Sequence, residues 1–499
     1  MSLLEIVILL PLLAAALIGA GLPAKLIGRL AAVANLVIVA VLAVQFQQSG
    51  ATGLSFTSSH LVLENPSIHF ATGADGMSLV LALLTVIVTV AAIWQIVDKP
   101  AMYYVASLMI SGGALGAFLT TDVFFIYSFH ELALIPTLLM IALHGQGDPV
   151  ERRRVAWKIT VYLGAGSLVL LAGLGALIAG LSQGGKLTFD LVALQEAAKH
   201  VSMPAATQGW IFFVLLLGFG TLVSLFPFHS WAAPAYATAP TPVAMLHSGV
   251  LKKFGLYGLL RIALPLLPLG AKVEWVQHAL LWMLVGNIIV IGLVTIHQTK
   301  LDNMLANSSV MHMGYIFLGI AAGTPVALRG AVLLMFAHGI SIALLFALCG
   351  KMRSQLGSLE FSKLGGLAKN APFMTLVFGF AAFASIGLPG LANFPGELMV
   401  FFGSFDSEVA VLKDGLQPVH WATIAALWGV VMSAVYMLRA YRNLFFGTAS
   451  AGHFIRDPEG AQRLPLVLLV LVLLVAGCRP GLLLDLLHLT TDTVKVAGL

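Results

Sequence analysis

Fourteen apolar runs, most of them about twenty residues long, fill this sequence and leave little room for anything else. They lie near 3–20, 29–47, 77–97, 101–119, 122–143, 157–181, 210–228, 241–268, 275–297, 304–322, 326–350, 371–403, 419–447 and 464–487. About twenty apolar residues in a helix span the hydrocarbon core of a bilayer. Only 9% of the residues are charged, against about 25% in a soluble domain, so no water-facing surface can be assembled from them. The expected fold class is an all-α polytopic membrane protein with about 14 transmembrane helices. The formal net charge of +5 does not mark a nucleic-acid binder, because the basic residues are scattered through short loops between the runs.

Two of the runs cannot be clean helices. The seventh leads into Pro227, Pro234, Pro240 and Pro242, and the twelfth contains Gly387-Leu-Pro389-Gly390 and Pro395-Gly396. Proline removes a backbone donor and clashes with the preceding turn, so helices 7 and 12 are expected to break within the membrane. Irregular backbone at that depth is tolerated only where protein buries it or where it lines a polar cavity. Two interrupted segments in corresponding positions of two halves mark an inverted-repeat transporter.

With the N-terminus outside, sixteen loop Lys and Arg fall on the cytoplasmic side and eight on the other, the latter including Lys186, Arg261, Lys413 and Lys495. The positive-inside rule then makes both termini periplasmic. The first run lacks the basic region and cleavage site of a signal peptide and is read as a retained crossing. Cys349 and Cys478 are far apart in sequence, which argues against both a disulfide framework and a metal site.

A charge at the bilayer centre costs roughly 2.5 kcal/mol or more, which makes each one a functional candidate. Glu131 lies well inside the fifth run, Lys252 and Lys253 inside the eighth, and Glu397 beside the break in the twelfth. Nearby opposite charges favour the ionised forms and burial opposes them, so the protonation of such groups responds to small movements. The alternative is that they form ion pairs that only fix helix packing. His130, His229, His247, His312 and His338 also lie in or beside apolar runs. Imidazoles take up and release protons near neutrality, although each of these taken alone is also an ordinary hydrogen-bonded packing residue. No pair has a zinc-binding spacing, and the chain has no phosphate-binding loop, dinucleotide fingerprint or iron–sulfur cysteine set. No cofactor is expected in this chain, and no redox chemistry.

At these positions the sequence resembles the antiporter-like subunits of complex I, the respiratory NADH–quinone oxidoreductase, and within them subunit M, called chain 4 in mitochondria. The resemblance covers roughly residues 115–450. It rests on Glu131-Leu-Ala-Leu-Ile-Pro-Thr137, Phe226-Pro-Phe-His-Ser-Trp231, Ala239-Pro-Thr-Pro242, and Gly249-Val-Leu-Lys-Lys253 with Tyr257-Gly-Leu-Leu-Arg261. It continues through Ser308-Ser-Val-Met-His-Met-Gly314, Ala337-His-Gly339 and Gly387-Leu-Pro-Gly390 with Gly396-Glu397. The resemblance implies 14 helices containing two inverted five-helix repeats. On that basis the chain divides into 1–100 (helices 1–3), 101–270 (first repeat), 271–450 (second repeat) and 451–499 (C-terminal loop and helix 14).

It also implies roles. Glu131 resembles the buried glutamate of the fifth helix, Lys253 the central lysine of the eighth, and His312 and His338 the bridging histidines. Glu397 resembles the terminal glutamate of the broken twelfth helix, and His229 the histidine of the Phe-His-x-Trp motif. The implied activity is proton translocation driven by quinone reduction elsewhere in the complex. The implied partners are the L-, N- and K-type membrane-arm subunits, with no direct NADH binding, in the bacterial inner membrane.

Two departures stand out. The family carries a lysine seven residues before the motif histidine, where this chain has Leu222; Lys252 and His130 are the candidate substitutes. The family's Gln-Thr-Asp-x-Lys reads here as Gln298-Thr-Lys-Leu-Asp302, with the two charges exchanged in a way that leaves a pair between them open. The rival readings are a multisubunit Na+/H+ antiporter subunit, a membrane-bound hydrogenase arm, and a paralogue that does not pump.

Overall fold

The computed structural model describes residues 1–51, 53–182, 187–405, 415–447 and 455–487. Lys186, Lys413 and Lys495, used above to orient the chain, lie outside them. Among the described residues, eleven helices are long and apolar enough to cross a membrane. They coincide with eleven of the fourteen apolar runs. The other three runs are also helical but short or interrupted: Leu3–Gly19, the eighth run, and the twelfth, whose first half is Pro372–Ile386.

Polar residues just outside the runs start several of these helices. Asp75 accepts from the Ser78 amide at 2.9 Å, and Asp122 from the Phe124 amide at 2.9 Å. Asp148 accepts from the Val150 and Glu151 amides, with Pro149 in the first turn. Each carboxylate satisfies amides that lack an intrahelical partner.

The helices Gly76–Trp94, Leu301–Ala322 and Pro325–Leu356 are enclosed almost completely by the others. In lipid, helices associate through close packing and polar contacts rather than hydrophobic burial, and small residues let backbones approach. Gly249 and Gly339 do this for the eighth and eleventh segments. A Cβ on Gly249 would lie 2.9 Å from the Gly339 carbonyl oxygen, and one on Gly339 2.6 Å from that of Gly249.

Both expected breaks are present. The helix Ala205–Val223 ends at Ser224 in the left-handed conformation (φ 68°), and helix resumes at Ala232–Thr238. Asn287 supplies the hydrogen bonds that the break leaves open. Its Oδ1 accepts from the Phe226 amide at 2.5 Å, and its Nδ2 donates to Ser224 O at 3.2 Å and Val310 O at 2.9 Å. Trp231 Nε1 donates back to Thr221 O at 3.0 Å. In the twelfth segment, Pro372–Ile386 stops at Gly387 (φ 82°), and Asn393–Gly403 begins after the irregular stretch.

Three features depart from the sequence reading. An antiparallel hairpin that the sequence did not announce, Ser55–Leu63 with Ile68–Ala74, precedes the third helix of this helical membrane fold. It holds neighbouring elements together: Ser58 and His60 bond Glu5 at 2.6 and 2.8 Å, and the His69 amide donates to Asp122 at 2.9 Å. The eighth segment, expected to be one helix, is interrupted at Leu251–Lys253 by a 3₁₀ turn and at Leu259–Ala263 by a π turn. Finally, Lys300 and Asp302 do not pair with each other. Lys300 meets Glu360 at 3.7 Å and Asp302 meets Arg353 at 2.6 Å, because residues two apart on the chain entering a helix point in different directions.

Candidate functional site

The eighth segment carries the centre of the site. In a regular α-helix the Ser248 carbonyl would accept from the amide of residue 252. Here the turn tightens, and Lys253 Nζ donates to Ser248 O at 3.0 Å. Lys252 Nζ points elsewhere: it donates to Ser309 O at 3.2 Å and lies 5.5 Å above the Tyr236 ring. Both side chains are buried, at 1% and 0% exposure. Among the described residues neither ammonium has a carboxylate within ion-pair distance. The packing-only alternative predicted paired charges, and these two have none.

His312 and His338 sit beside them, ring centroids 5.4 Å apart and edge to face. His312 Nδ1 lies 2.8 Å from Ser308 O and Nε2 lies 2.9 Å from Ser385 O. A neutral imidazole has one N–H, so it satisfies one carbonyl at a time, and only the protonated ring satisfies both. Ser385 belongs to the end of Pro372–Ile386, so the same histidine contacts the end of the broken helix. His338 Nδ1, His247 Nδ1, Tyr236 Oη and Tyr315 Oη are buried without a hydrogen-bond partner among the described residues. His247 stacks on Trp231 at 5.6 Å, and Tyr315 meets His312 edge-on at 5.6 Å.

Glu131 lies to one side of this centre. The Ser167 hydroxyl donates to its carboxylate, and His130 Nδ1 is 3.3 Å away. His130 in turn stacks on Phe254, the residue after Lys253, with centroids 3.9 Å apart. Of the two candidate substitutes for the missing lysine, His130 touches Glu131 and Lys252 does not. Leu222 packs against Gly166, immediately before Ser167, so position 222 does face the Glu131 neighbourhood. His229 lies in the broken stretch, stacked on Phe226 at 5.5 Å with Nδ1 unpartnered.

Glu397 lies in the second half of the twelfth segment, Asn393–Gly403. It is buried at 5% exposure, packed against Gly387 in the break, and has no hydrogen-bond or ion-pair partner among the described residues. Asn393, a turn earlier, is fully buried with both amide atoms unpartnered.

The sequence reading missed a second buried polar group. Asp75 Oδ1 meets Arg261 Nη2 at 2.6 Å, and Arg261 also bonds Ser78 Oγ at 3.0 Å and Tyr257 Oη at 3.2 Å. Arg261, taken above as a loop charge, is in the π turn and nearly buried. An aspartate directly before an apolar run was the available signal for one half of the pair. Among the described residues no cluster of His, Cys, Asp and Glu is arranged to hold a metal ion.

Fold and site together define a polytopic membrane protein whose interrupted helices converge on buried lysines and histidines. A family model described as "NADH:quinone oxidoreductase/Mrp antiporter, TM" matches residues 120–413, and the chain belongs to that family. NADH-quinone oxidoreductase subunit M of Pseudomonas aeruginosa is 34% identical over 431 residues, covering 84% of this chain and 80% of that one. NAD(P)H-quinone oxidoreductase chain 4 1 of a Synechococcus strain is 34% identical over 436 residues, covering 86% and 79%. A chain of respiratory complex I from Thermus thermophilus with bound NADH superposes with a TM-score of 0.87 at 28% identity, over 99% of both chains.

Proposed function

We propose that this chain translocates protons as the M-type membrane-arm subunit of a bacterial respiratory NADH–quinone oxidoreductase. The observation that carries the reading is the pair of buried lysines that, among the described residues, bond only to backbone carbonyls and a serine hydroxyl. They lie beside a histidine held between two carbonyl oxygens, one of them at a helix break. The histidine satisfies both carbonyls only when it is protonated, whereas a neutral lysine amine keeps N–H donors for the oxygens it meets, so the lysines can release protons without losing these contacts.

In this reading Glu131 and His130 load protons, and Lys252, Lys253, His312 and His338 pass them along the middle. Glu397 releases them beside the second break, and His229 serves the first break. The buried unpartnered atoms of His229, His247, Tyr236, Tyr315 and His338 are suited to binding the water that links these groups. The mechanism needs only movement of the two breaks relative to the eighth segment. Quinone reduction in other subunits supplies the drive, and this chain performs no redox step.

Fourteen crossings in two inverted repeats, 101–270 and 271–450, fit this reading, because each segment broken at proline and glycine, the seventh and the twelfth, is the fourth of its five. An inner-membrane location with both termini periplasmic, and neighbours of the L, N and K types, complete it. The family description also includes Mrp antiporters, so the rival is a cation/proton antiporter subunit. Affinity purification of the tagged chain from native membranes separates the two. Co-purification with quinone-reductase subunits and NADH-dependent quinone reduction supports the proposal. A complex of small antiporter subunits without that activity refutes it.

A further inference from the structure

The sixth segment, Pro149–Leu181, contains 33 residues. At 1.5 Å per residue it is about 50 Å long, well beyond a hydrocarbon core of about 30 Å. Its first two to three turns therefore stand at headgroup depth, and they read Glu151-Arg-Arg-Arg-Val-Ala-Trp-Lys158. Arg152 is committed to capping the preceding helix, donating to Leu143 O at 3.0 Å and Gly145 O at 3.4 Å. Arg153, Arg154 and Lys158 are exposed. Among the described residues the only carboxylate near them is Glu151, 3.6 Å from Arg154.

Trp157, 71% exposed, stands between two open grooves. One, of about 620 Å³, is walled by Leu138, Leu139, Ala142 and Ala156 and headed by Arg153 and Arg154. The other, of about 470 Å³, runs along Val161 and Tyr162 with Arg154, Lys158 and Glu151 also in its lining. Apolar channels directed into the membrane and headed by cations match one ligand shape, an anionic head on apolar tails. A basic cluster at the end of a membrane helix attracts acidic lipid, and a tryptophan at this depth is at home in the interface.

We propose that this face is a binding site for an anionic phospholipid. The phosphodiester sits among Arg153, Arg154 and Lys158, and the acyl chains lie in the grooves on either side of Trp157. Guanidinium groups are suited to this, since their planar donors match phosphate oxygens in pairs.

The test uses the purified membrane assembly containing the full chain, reconstituted in phosphatidylcholine vesicles. These carry equal mole fractions of brominated phosphatidylglycerol or brominated phosphatidylcholine. Trp157 emission is taken as the difference between wild type and Trp157→Phe. Brominated phosphatidylglycerol is expected to quench that emission severalfold more than brominated phosphatidylcholine. The excess should disappear in Arg153→Gln/Arg154→Gln and survive millimolar inorganic phosphate. Retained assembly of the exposed double variant, checked by gel filtration, separates lost binding from lost folding. Equal quenching by both lipids would overturn the proposal in favour of ordinary solvating lipid. Quenching by neither would mean that another subunit covers the face, and loss of the excess in phosphate would mean a free-phosphate site.

Discussion

Asp75 and Arg261 join the start of the third helix to the π turn of the eighth segment, two places far apart in the chain. Asp75→Asn keeps an oxygen to cap the Ser78 amide but removes the anion facing a guanidinium whose side chain is 11% exposed. Removing one partner of a buried pair costs about 3–5 kcal/mol. Arg261 would keep its bonds to Ser78 and Tyr257, so the loss should fall near the lower end. At about 3 kcal/mol the folded-to-unfolded ratio falls by roughly two orders of magnitude. The assay is thermal loss of the monodisperse elution peak in detergent, for Asp75→Asn, Arg261→Gln and the double variant. A strong interaction energy in that cycle is expected, with the double variant no worse than the weaker single. Additive effects, or an Asp75→Asn variant as stable as wild type, would refute the view that the pair acts as a unit.

Other expectations concern the site. Glu131→Gln should abolish or sharply reduce coupled proton pumping in assembled membranes, because Ser167 and His130 both converge on that carboxylate; wild-type pumping would remove it from the path. Glu397→Gln should impair turnover more than Glu397→Asp, measured as proton uptake in inverted vesicles. Equal loss through failed assembly would make the residue structural. Leu222→Lys should assemble and keep pumping, because position 222 faces the Glu131 neighbourhood, where a cation gains a partner. If this variant assembles but stops pumping, the first half of the path is not organised around Glu131.

Both breaks were legible because proline and glycine act locally: Pro227 and the Gly387–Gly390 stretch disrupt their helices whatever surrounds them. The four intramembrane charges were legible for a similar reason, since charge inside an apolar run is conspicuous by itself. What stayed hidden depends on partners distant in sequence. Nothing near Arg261 announces Asp75, and nothing near Ser224 announces that Asn287 will complete its break. The exchange of charges at Lys300 and Asp302 suggested a mutual pair, but each found a closer partner on another element. The hairpin was overlooked because a search for apolar runs passes over Ser55–Leu63, whose first six residues are polar except for Phe56 and which the Asn65–Pro66 turn follows. The lysines of the eighth segment were read on the assumption of an ideal helix. The 3₁₀ turn instead sends Lys252 toward Ser309 and returns Lys253 to its own backbone.

Lys253, buried without a counter-ion among the described residues, is proposed to carry protons rather than only to pack helices. Lys253→Met keeps most of the side chain's apolar length and removes the ammonium alone, and Lys252→Met does the same one position earlier. The direct measurement is the ratio of protons moved to electrons transferred in vesicles holding the assembled complex, with quinone reductase activity recorded alongside. The account predicts assembled Lys253→Met complexes with a clearly lowered ratio or with turnover lost together with pumping, and a loss of similar size for Lys252→Met. Assembled Lys253→Met complexes with the wild-type ratio at the wild-type rate would contradict it.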